Sequence, residues 1–344
     1  MKYDYSIRLE KEPFKFSSGV ILCESKIPVL KERHYCIIPF EFDGDAPKSF
    51  IKAYFYIQGG SVIKSNFKTW KLYIAKSAQK WYPHESVIEY LINRIGETLQ
   101  LNMNRIKLVK INGQIRFLSE YFLDQENEKL IHGAEICGEY LQDNSFADEI
   151  ANDKKSAREL FTFQFIIDAI NSVFHVSSKD LILELIKMIV FDAIVGNNDR
   201  HFYNWGVIDS IKKGENKPRF SPIYDSARGL LWNWSDSDIS FYFRNIKAGY
   251  KKIENYIIKG CPRISIEGDP NINHFQLISY IWDKHHFCHE TILNLVSLKN
   301  EEQVLNLYYD EFRHYFINER NSFVLLIIKE RFKRLRKITS KNDQ

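Results

Sequence analysis

Short runs rich in Tyr, Phe and Ile, in which apolar and polar positions partly alternate, dominate the first third of the chain. Such runs are typical of β-strands, and we predict them at residues 35–57, where they lead into a glycine turn, and at residues 71–76. An Asn-Gly pair joins residues 106–111 to residues 115–122 and predicts a β-hairpin, because Asn-Gly adopts the positive φ angles of a two-residue turn. One helix interrupts the strands, since apolar residues recur at helical spacing from Glu85 onward.

Helical periodicity replaces this pattern in the second part of the chain. Residues 125–160 are polar and acidic, and the spacing of apolar positions then predicts helices at residues 160–174, 181–195 and 322–338. The middle helix of these three is apolar on all sides, so we expect other parts of the protein to surround it.

A short hairpin is expected to interrupt the helical part. Its strands are predicted at residues 205–208 and 219–224, with a polar turn at residues 210–217. Together the patterns predict the α+β class, with a sheet-rich unit at residues 1–124 and a mainly helical unit at residues 125–344. The length of 344 residues agrees with two such units, at roughly 150 residues per domain.

The charge balance argues against a partner that is a nucleic acid. The chain has 48 Lys and Arg against 44 Asp and Glu, a formal net charge of +4. A protein that follows a phosphate backbone normally has a strongly basic face. Six basic residues in the last predicted helix, among them Arg331, are interpreted as a solvent-exposed face. No apolar run is long enough to predict a membrane span.

Cysteine usage and the N-terminus bear on localisation. The five cysteines are scattered and form no C-x-x-C pair, which is unlike a disulfide framework or a thiolate zinc site. The first residues contain no apolar run followed by a small-residue cleavage site, so no signal peptide is predicted. We expect a cytoplasmic protein, and secretion as an effector stays open.

The polar segment after the predicted buried helix carries the candidate chemistry. Asp199 is followed by Asn204, and Asp225 ends a strand of the next hairpin. Phosphoryl transfer from a nucleotide needs an anionic group that orients the attacking hydroxyl, and hard oxygen ligands that hold Mg²⁺ against the phosphates. The order and spacing of these residues match a protein-kinase catalytic loop and metal site. We predict Asp199 as the base, Asn204 and Asp225 as ligands of Mg²⁺, and ATP as the donor.

Residues further upstream supply the expected nucleotide-binding groups. Lys76 ends a predicted strand, where its ammonium would neutralise the α- and β-phosphates, and Glu85 in the next helix would fix Lys76 by an ion pair. The turn Gly59-Gly60-Ser61 would offer backbone N–H groups to phosphate oxygens. Each feature alone is commonly an ordinary turn or a surface charge. Their joint order along the chain favours a kinase.

A histidine-rich segment offers an alternative that involves a transition metal. Four histidines and a cysteine lie within residues 274–289, and His285 and His289 are one helical turn apart. No adjacent Glu completes an H-E-x-x-H motif, and the aromatic residues Trp282 and Phe287 favour a packed helix instead.

These motifs resemble the HipA-like serine/threonine kinases. The resemblance rests on Asn-Asp-Arg-His at residues 198–201 with Asn204, on Pro-Ile-Tyr-Asp at residues 222–225, and on Tyr-Ile-Ala-Lys ending at Lys76. It covers about residues 59–225. The family has a bilobal kinase fold, so the resemblance implies a sheet-rich N-lobe and a mainly helical C-lobe. The chain looks most like the short HipT and CtkA type members.

The resemblance also implies finer functional details. Glu120 and Phe122 would lie between the lobes and contact adenine. Ser61 and Ser65 would be candidates for autophosphorylation in the Gly-rich loop. The implied activity is that of a toxin or effector kinase that phosphorylates a protein substrate, with an antitoxin as a possible partner. Residues 225–229 are Asp-Ser-Ala-Arg-Gly, so the mobile Phe of a DFG motif is not expected.

Two other functions share parts of this pattern. The form Asp-Arg-His-x-x-Asn at residues 199–204 also occurs in phosphoinositide kinases, which makes a lipid kinase the second hypothesis. A pseudokinase that binds nucleotide without transferring phosphate is the third. The simultaneous presence of Lys76, Asp199, Asn204 and Asp225 argues against it.

Overall fold

A five-stranded antiparallel sheet organises the first part of the protein in the computed structural model, which describes residues 8–39, 48–56, 58–212 and 217–340. The strands are β1 (Phe16–Ser17), β2 (Tyr35–Ile38), β3 (Lys48–Ala53), β4 (Lys71–Ser77), β5 (Trp81–Tyr82), β6 (Ile106–Ile111), β7 (Gln114–Glu120), β8 (Glu128–His132), β9 (Gly206–Ser210) and β10 (Arg219–Phe220). The large sheet has the order β2-β3-β4-β7-β6. Within the predicted strand region 35–57, residues 40–47 and 57 lie outside the described residues.

The predicted Asn-Gly hairpin is confirmed. β6 and β7 pair antiparallel from Ile106 opposite Ser119 to Ile111 opposite Gln114. Asn112 and Gly113 close the turn with φ angles of 49° and 71°, the left-handed region that this sequence favours.

Twelve α-helices are formed by the described residues, and most of them follow the large sheet in the chain. They are α1 (His84–Thr98), α2 (Gly133–Leu141), α3 (Asn144–Asn152), α4 (Lys154–Leu160), α5 (Phe163–Val173), α6 (Ser178–Val195), α7 (Asp236–Arg244), α8 (Ile246–Ile258), α9 (His274–Lys284), α10 (His289–Leu295), α11 (Leu298–Leu307) and α12 (Asn318–Thr339). The expected helix after Glu85 is α1. The expected buried helix is α6, whose residues from Met188 to Val195 are all buried.

The two faces of the large sheet are covered differently. On one face, Leu9 and Leu30 from the N-terminal segment pack with Tyr73 and Leu118 in a small core of their own. On the other face lies α1, whose apolar residues belong to the main core shared with the helices of the second part. Helix α1 therefore connects the sheet to the helical part.

The predicted short hairpin is present but smaller and differently paired. β9 pairs with β10, and β8 adds a third strand that the sequence pattern did not predict. The strand predicted at residues 219–224 ends at Phe220, because Ile223 instead exchanges backbone hydrogen bonds with Asn102 and Asn104 after α1. Of the predicted turn, residues 213–216 lie outside the described residues.

Helix α12 corrects the expectation of a wholly solvent-exposed basic face. Lys329, Lys333 and Lys337 are exposed, but Arg331 is fully buried. Its guanidinium donates hydrogen bonds to the carbonyl oxygens of Ala193 at 2.6 Å and Ile257 at 3.0 Å, near the ends of α6 and α8. Across the described ranges, no helix combines the length and apolar character needed to cross a membrane.

Candidate active site

The end of α6 fixes the start of the loop that carries the predicted catalytic residues. Gly196 ends the helix with a φ of 71°, and a Cβ at this position would lie 3.2 Å from the Arg331 guanidinium carbon. Asn197 then turns back, and its side-chain amide donates to Asp192 Oδ1 at 2.9 Å. The side-chain oxygen of Asn197, Oδ1, accepts from the backbone N–H of Asp199 at 3.3 Å. The loop therefore leaves the helix in one defined direction.

Arg200 joins the two sequence motifs of the site. Its guanidinium donates to both carboxylate oxygens of Asp192, each at 2.9 Å. It also donates to the backbone carbonyls of Asn204 and Tyr224 and to the hydroxyl of Ser226. Burial disfavours the charge of Arg200, but the attraction of Asp192 outweighs it and raises the pKa of Arg200. Asn204 and Asp225 are thus held on one scaffold, as the sequence order suggested.

Asp199 lies between two arginines. Its Oδ1 accepts from Arg263 Nη2 at 2.7 Å, and its Oδ2 lies 3.0 Å from Arg228 Nε. The Asp199 side chain is 13% exposed, so only a small part of it meets solvent. Its backbone carbonyl accepts from Asn204 Nδ2 at 3.1 Å, which sets the orientation of the Asn204 side chain.

Asp225 and Lys76 meet where the sheet faces the helical part. Lys76 Nζ lies 2.9 Å from Asp225 Oδ1 and 3.4 Å from Glu89 Oε1. Asp225 adopts a left-handed φ of 52°, which is uncommon for a residue other than glycine and re-aims its side chain after the strand. Burial opposes ionisation of Asp225, but Lys76, with further attraction from Lys48 and His201, holds its pKa below the usual range.

The expected ion pair of Lys76 with Glu85 is corrected by the geometry. Glu85 Oε2 accepts backbone N–H groups of Lys80 at 3.2 Å and Trp81 at 3.0 Å, so it fixes the turn before α1. Glu89, one helical turn later, is the carboxylate that reaches Lys76. Burial raises the pKa of Glu89 to about 7, although Lys76 opposes this effect.

Asn204 and Asp225 fit the donor set of a Mg²⁺ site. Asn204 uses its amide nitrogen toward Asp199, and Asp225 uses Oδ1 toward Lys76. Asn204 Oδ1 and Asp225 Oδ2 make no hydrogen bond with any residue that the structure describes, so both remain available as hard oxygen ligands.

The two residues expected at the adenine position lie differently with respect to this centre. Phe122 approaches Tyr224, with ring centroids 5.6 Å apart, and so lies close to the segment that leads into Asp225. Glu120 is opposite Tyr73 in the sheet and binds Lys71 at 2.6 Å, on the face away from Lys76. Its backbone carbonyl accepts from Asn104.

The predicted phosphate-binding turn is exposed. Gly59 has a φ of 68°, and nothing lies within 4 Å of a Cβ built on it. Gly60 and Ser61 are exposed as well. Within the described segments, this turn makes no hydrogen bond to Lys76, Asp199 or Asp225, and its role stays a prediction.

The histidine-rich segment packs as a helix. The His289 ring stacks on Trp282 with centroids 3.7 Å apart, and its Nε2 lies 2.7 Å from the Trp282 carbonyl oxygen. In the described part of the chain, no three His, Cys, Asp or Glu residues are grouped so that they could hold a metal ion.

Sequence reasoning missed three residues of the site: Glu89, Arg228 and Arg263. Glu89 is on the same face of α1 as Glu85, so a search for buried carboxylates in that helix could have found it. Arg228 follows Asp225 closely, but its contact with Asp199 depends on the fold. Arg263 is 64 residues from Asp199 in the chain, and no local pattern marks it.

Comparisons with known proteins agree with the architecture. The family model described as HipA-like C-terminal domain matches residues 42–256. The structure is similar to the crystal structure of the proinflammatory kinase CtkA from Helicobacter pylori, with a TM-score of 0.65 and 16% identity, over 88% of this chain and 94% of that one. This similarity confirms the predicted bilobal α+β fold.

A second similarity is weaker. It is to HipA of Shewanella oneidensis MR-1 in a toxin–antitoxin complex with HipB and operator DNA, with a TM-score of 0.48 and 13% identity. It covers 87% of this chain and 65% of that one. A search of curated proteins finds no significant match.

Proposed function

The chain belongs to the HipA-like C-terminal domain family, and on that premise we propose that it is an ATP-dependent serine/threonine protein kinase. The observation that carries the proposal is the contact of Lys76 with Asp225, because it joins the strand lysine of the first lobe to the carboxylate of the second. Arg200 donates to the backbone carbonyls of Asn204 and of Tyr224, the neighbour of Asp225, and so holds Asp225 beside the loop of Asp199 and Asn204. A strand lysine, a metal-binding carboxylate and a loop aspartate are the groups that phosphoryl transfer requires.

Each residue then has a separate task in the reaction. Lys76 binds the phosphates of ATP, and Asp199 accepts a hydrogen bond from the acceptor hydroxyl and directs it in line with the γ-phosphorus. The hydroxyl oxygen bonds to phosphorus while the bond to the β,γ-bridging oxygen breaks, ADP leaves with that electron pair, and the hydroxyl proton passes to Asp199 and on to solvent. Mg²⁺ held by Asn204 and Asp225 would neutralise phosphate charge. Positioning and electrostatics supply most of the rate.

The finer parts of the proposal follow the family resemblance. Adenine is proposed to contact Phe122 and Glu120, and the turn Gly59-Gly60-Ser61 to cover the phosphates. Ser61 or Ser65, both exposed, would receive phosphate in autophosphorylation. A role as a toxin or effector, with an antitoxin as partner, belongs to the same proposal and rests on the family resemblance.

Incubation with γ-labelled ATP tests this function. Wild-type protein given a bacterial lysate should label protein serine or threonine, and Asp199→Ala, Lys76→Ala and Asp225→Ala should each lose activity by about a hundredfold or more while remaining folded. Phosphoproteomics after expression of wild type and Asp199→Ala would identify the substrate. Label that appears in phosphoinositide vesicles and not in protein would replace the proposal by the lipid-kinase hypothesis.

A further inference from the structure

Two arginines from outside the sequence motif contact the proposed base. Arg228 follows Asp225 by three residues, and Arg263 comes from the segment between α8 and α9. They approach opposite oxygens of the Asp199 carboxylate, at 3.0 Å and 2.7 Å. Their side chains are 35% and 18% exposed, so both are partly accessible to solvent.

Each of these arginines has hydrogen-bond donors to spare. A guanidinium carries five N–H groups. Arg263 directs Nε and Nη2 to Oδ1 of Asp199, and Arg228 directs only Nε to Oδ2. The other nitrogens of both make no hydrogen bond to the residues that the structure describes. Arg228 also lies over the Trp232 ring, 5.4 Å from its centroid, which limits where its free donors point.

Two other cations of the site, Arg200 and Lys76, are already engaged. Arg200 is buried and gives its donors to Asp192, two backbone carbonyls and Ser226. Lys76 lies between Glu89 and Asp225. Arg200 is the one cation within the loop from Asn197 to Asn204 if histidine is neutral. The loop thus contributes no free positive charge to the transferring group.

The position of Asp199 determines what its arginines can reach. An acceptor hydroxyl bound to Asp199 lies about 3 Å from the carboxylate, and the γ-phosphorus must come within about 3.5 Å of that hydroxyl. The γ-phosphoryl oxygens therefore arrive within a few ångströms of guanidiniums that already touch Asp199. The planar donor array of arginine matches the oxygens of phosphate as well as those of a carboxylate.

We propose that Arg228 and Arg263 bind the γ-phosphoryl group of ATP and stabilise it during transfer. This inference rests on the proposed kinase function and names two further catalytic residues for it. The arginines balance negative charge on the phosphoryl oxygens while the bond to the acceptor oxygen forms and the bond to the bridging oxygen of ADP breaks. They also keep the Asp199 carboxylate oriented in the same step.

Affinity for ATP compared with affinity for ADP gives a readout that does not depend on turnover. Calorimetric titration of the full chain with Mg-ATP and with Mg-ADP should show that Arg228→Ala and Arg263→Ala each weaken ATP binding by about tenfold while ADP binding is unchanged. In the labelled-ATP assay, kcat should fall by about a hundredfold or more. Arg263→Lys should restore part of both values, because it keeps the charge without the planar fork.

The matched control is Arg244→Ala, an exposed arginine at the end of α7 that makes no hydrogen bond or ion pair with Lys76, Asp199 or Asp225 in the described residues. It should bind both nucleotides and turn over as wild type does. Melting temperatures of all variants identify any that fails to fold, and Arg263→Lys then carries the test.

The remaining outcomes separate this inference from the kinase proposal. An unchanged ATP-to-ADP affinity ratio in folded variants overturns the phosphoryl contact, and so does an effect confined to the KM of the acceptor. If wild type fails to transfer phosphate but the ratio still depends on the two arginines, the kinase proposal fails and the phosphoryl site stands. Absence of ATP binding by wild type overturns both.

Discussion

Lys76 forms ion pairs with two carboxylates that belong to different lobes. Glu89 comes from α1 and Asp225 from the segment after β10. Because Glu89 is buried, it orients Lys76 without access to solvent, whereas Asp225 is one-third exposed and faces the open side of the site. At the scale of single residues, we expect Glu89 to position Lys76 and Asp225 to bind a ligand.

The matched pair Glu89→Gln and Glu85→Gln tests this division. At pH 8, above the raised pKa of Glu89, Glu89→Gln should lower kcat/KM for ATP by about tenfold or more, because Lys76 loses the charge that orients it. Glu85→Gln should keep most activity, since Glu85 binds backbone N–H groups of the preceding turn. Steady-state kinetics on both variants, with melting temperatures as a folding control, decide the matter. A larger loss in Glu85→Gln than in Glu89→Gln would contradict the assignment.

The sequence predicts which types of residue form this site better than it predicts which of two similar residues in one helix contacts Lys76. Asp199, Asn204 and Asp225 stand out because their spacing is local and their chemistry is specific. Glu85 and Glu89 lie on the same helical face, and only the packing of α1 against β4 decides which of them reaches Lys76. Arg263 cannot be predicted locally, because its contact closes a loop of 64 residues.

At the scale of elements, α6 and α12 together support the loop that follows α6. Arg331 of α12 donates to the carbonyl of Ala193, one of the groups that a helix end leaves without an intrahelical partner. It donates to the carbonyl of Ile257 in α8 as well. The direction of the loop from Asn197 to Asn204 therefore depends on a residue more than a hundred positions later in the chain.

Replacement of Arg331 should destabilise the protein strongly. In Arg331→Leu, two buried carbonyls lose their donor, and we expect the free energy of unfolding to fall by about 3 kcal/mol. Lys333→Leu, on the exposed side of the same helix, should change it by less than about 0.5 kcal/mol. Urea denaturation of both variants checks the difference. Equal effects of the two substitutions would show that the buried guanidinium is not supporting α6.

Elements with strong local signals are those that the sequence predicts. The Asn-Gly hairpin and helices α1 and α6 follow from turn chemistry and from periodicity within one segment. β8 has five residues and exists by pairing with β9, which comes more than seventy residues later. The burial of Arg331 likewise depends on the neighbours of α12, whereas the sequence shows only a cluster of basic residues.

At the scale of the whole molecule, buried neutral histidines link stability to pH. Burial first, and then the charge of Arg320, lowers the pKa of His84 to about 2. Arg320 also binds the neighbouring carboxylate of Asp236 at 2.8 Å, so the negative charge of Asp236 is already balanced when His84 is neutral. Burial, followed by Arg331 and Arg158, lowers the pKa of His274 well below its usual value. Both are expected to be uncharged in the folded protein.

The free energy of unfolding should therefore fall as the pH decreases below about 6.5. Below that value the unfolded chain binds protons at these histidines and the folded chain does not, which costs about 1.4 kcal/mol per pH unit for each of them. The pKa of Glu89 is raised, so between about pH 7 and the ordinary pKa of a glutamate this residue binds a proton in the folded state and not in the unfolded chain. In that pH range it offsets the loss of stability caused by one of the two histidines. The stabilisation is complete above about pH 6.5 and is lost on acidification.

Urea denaturation between pH 7.5 and 5 measures this slope. In His274→Gln the slope of the unfolding free energy against pH should correspond to about one proton fewer than in wild type. His286→Gln, at an exposed position, should keep the slope of wild type. A slope in His274→Gln equal to that of wild type would mean that His274 titrates normally in the folded protein.

The hydrogen bonds of Arg200 bear on how relatives of this protein can be recognised. Arg200 donates hydrogen bonds to Asn204, before β9, and to Tyr224 and Ser226, after β10. Because these bonds hold both segments in place, the chain between them can change length without moving either segment. Insertions between β9 and β10 should thus be common among proteins that share this site. A search that fixes the distance between the two motifs would overlook such proteins, and one that asks for Arg200 with Asp192 eight residues before it would retain them.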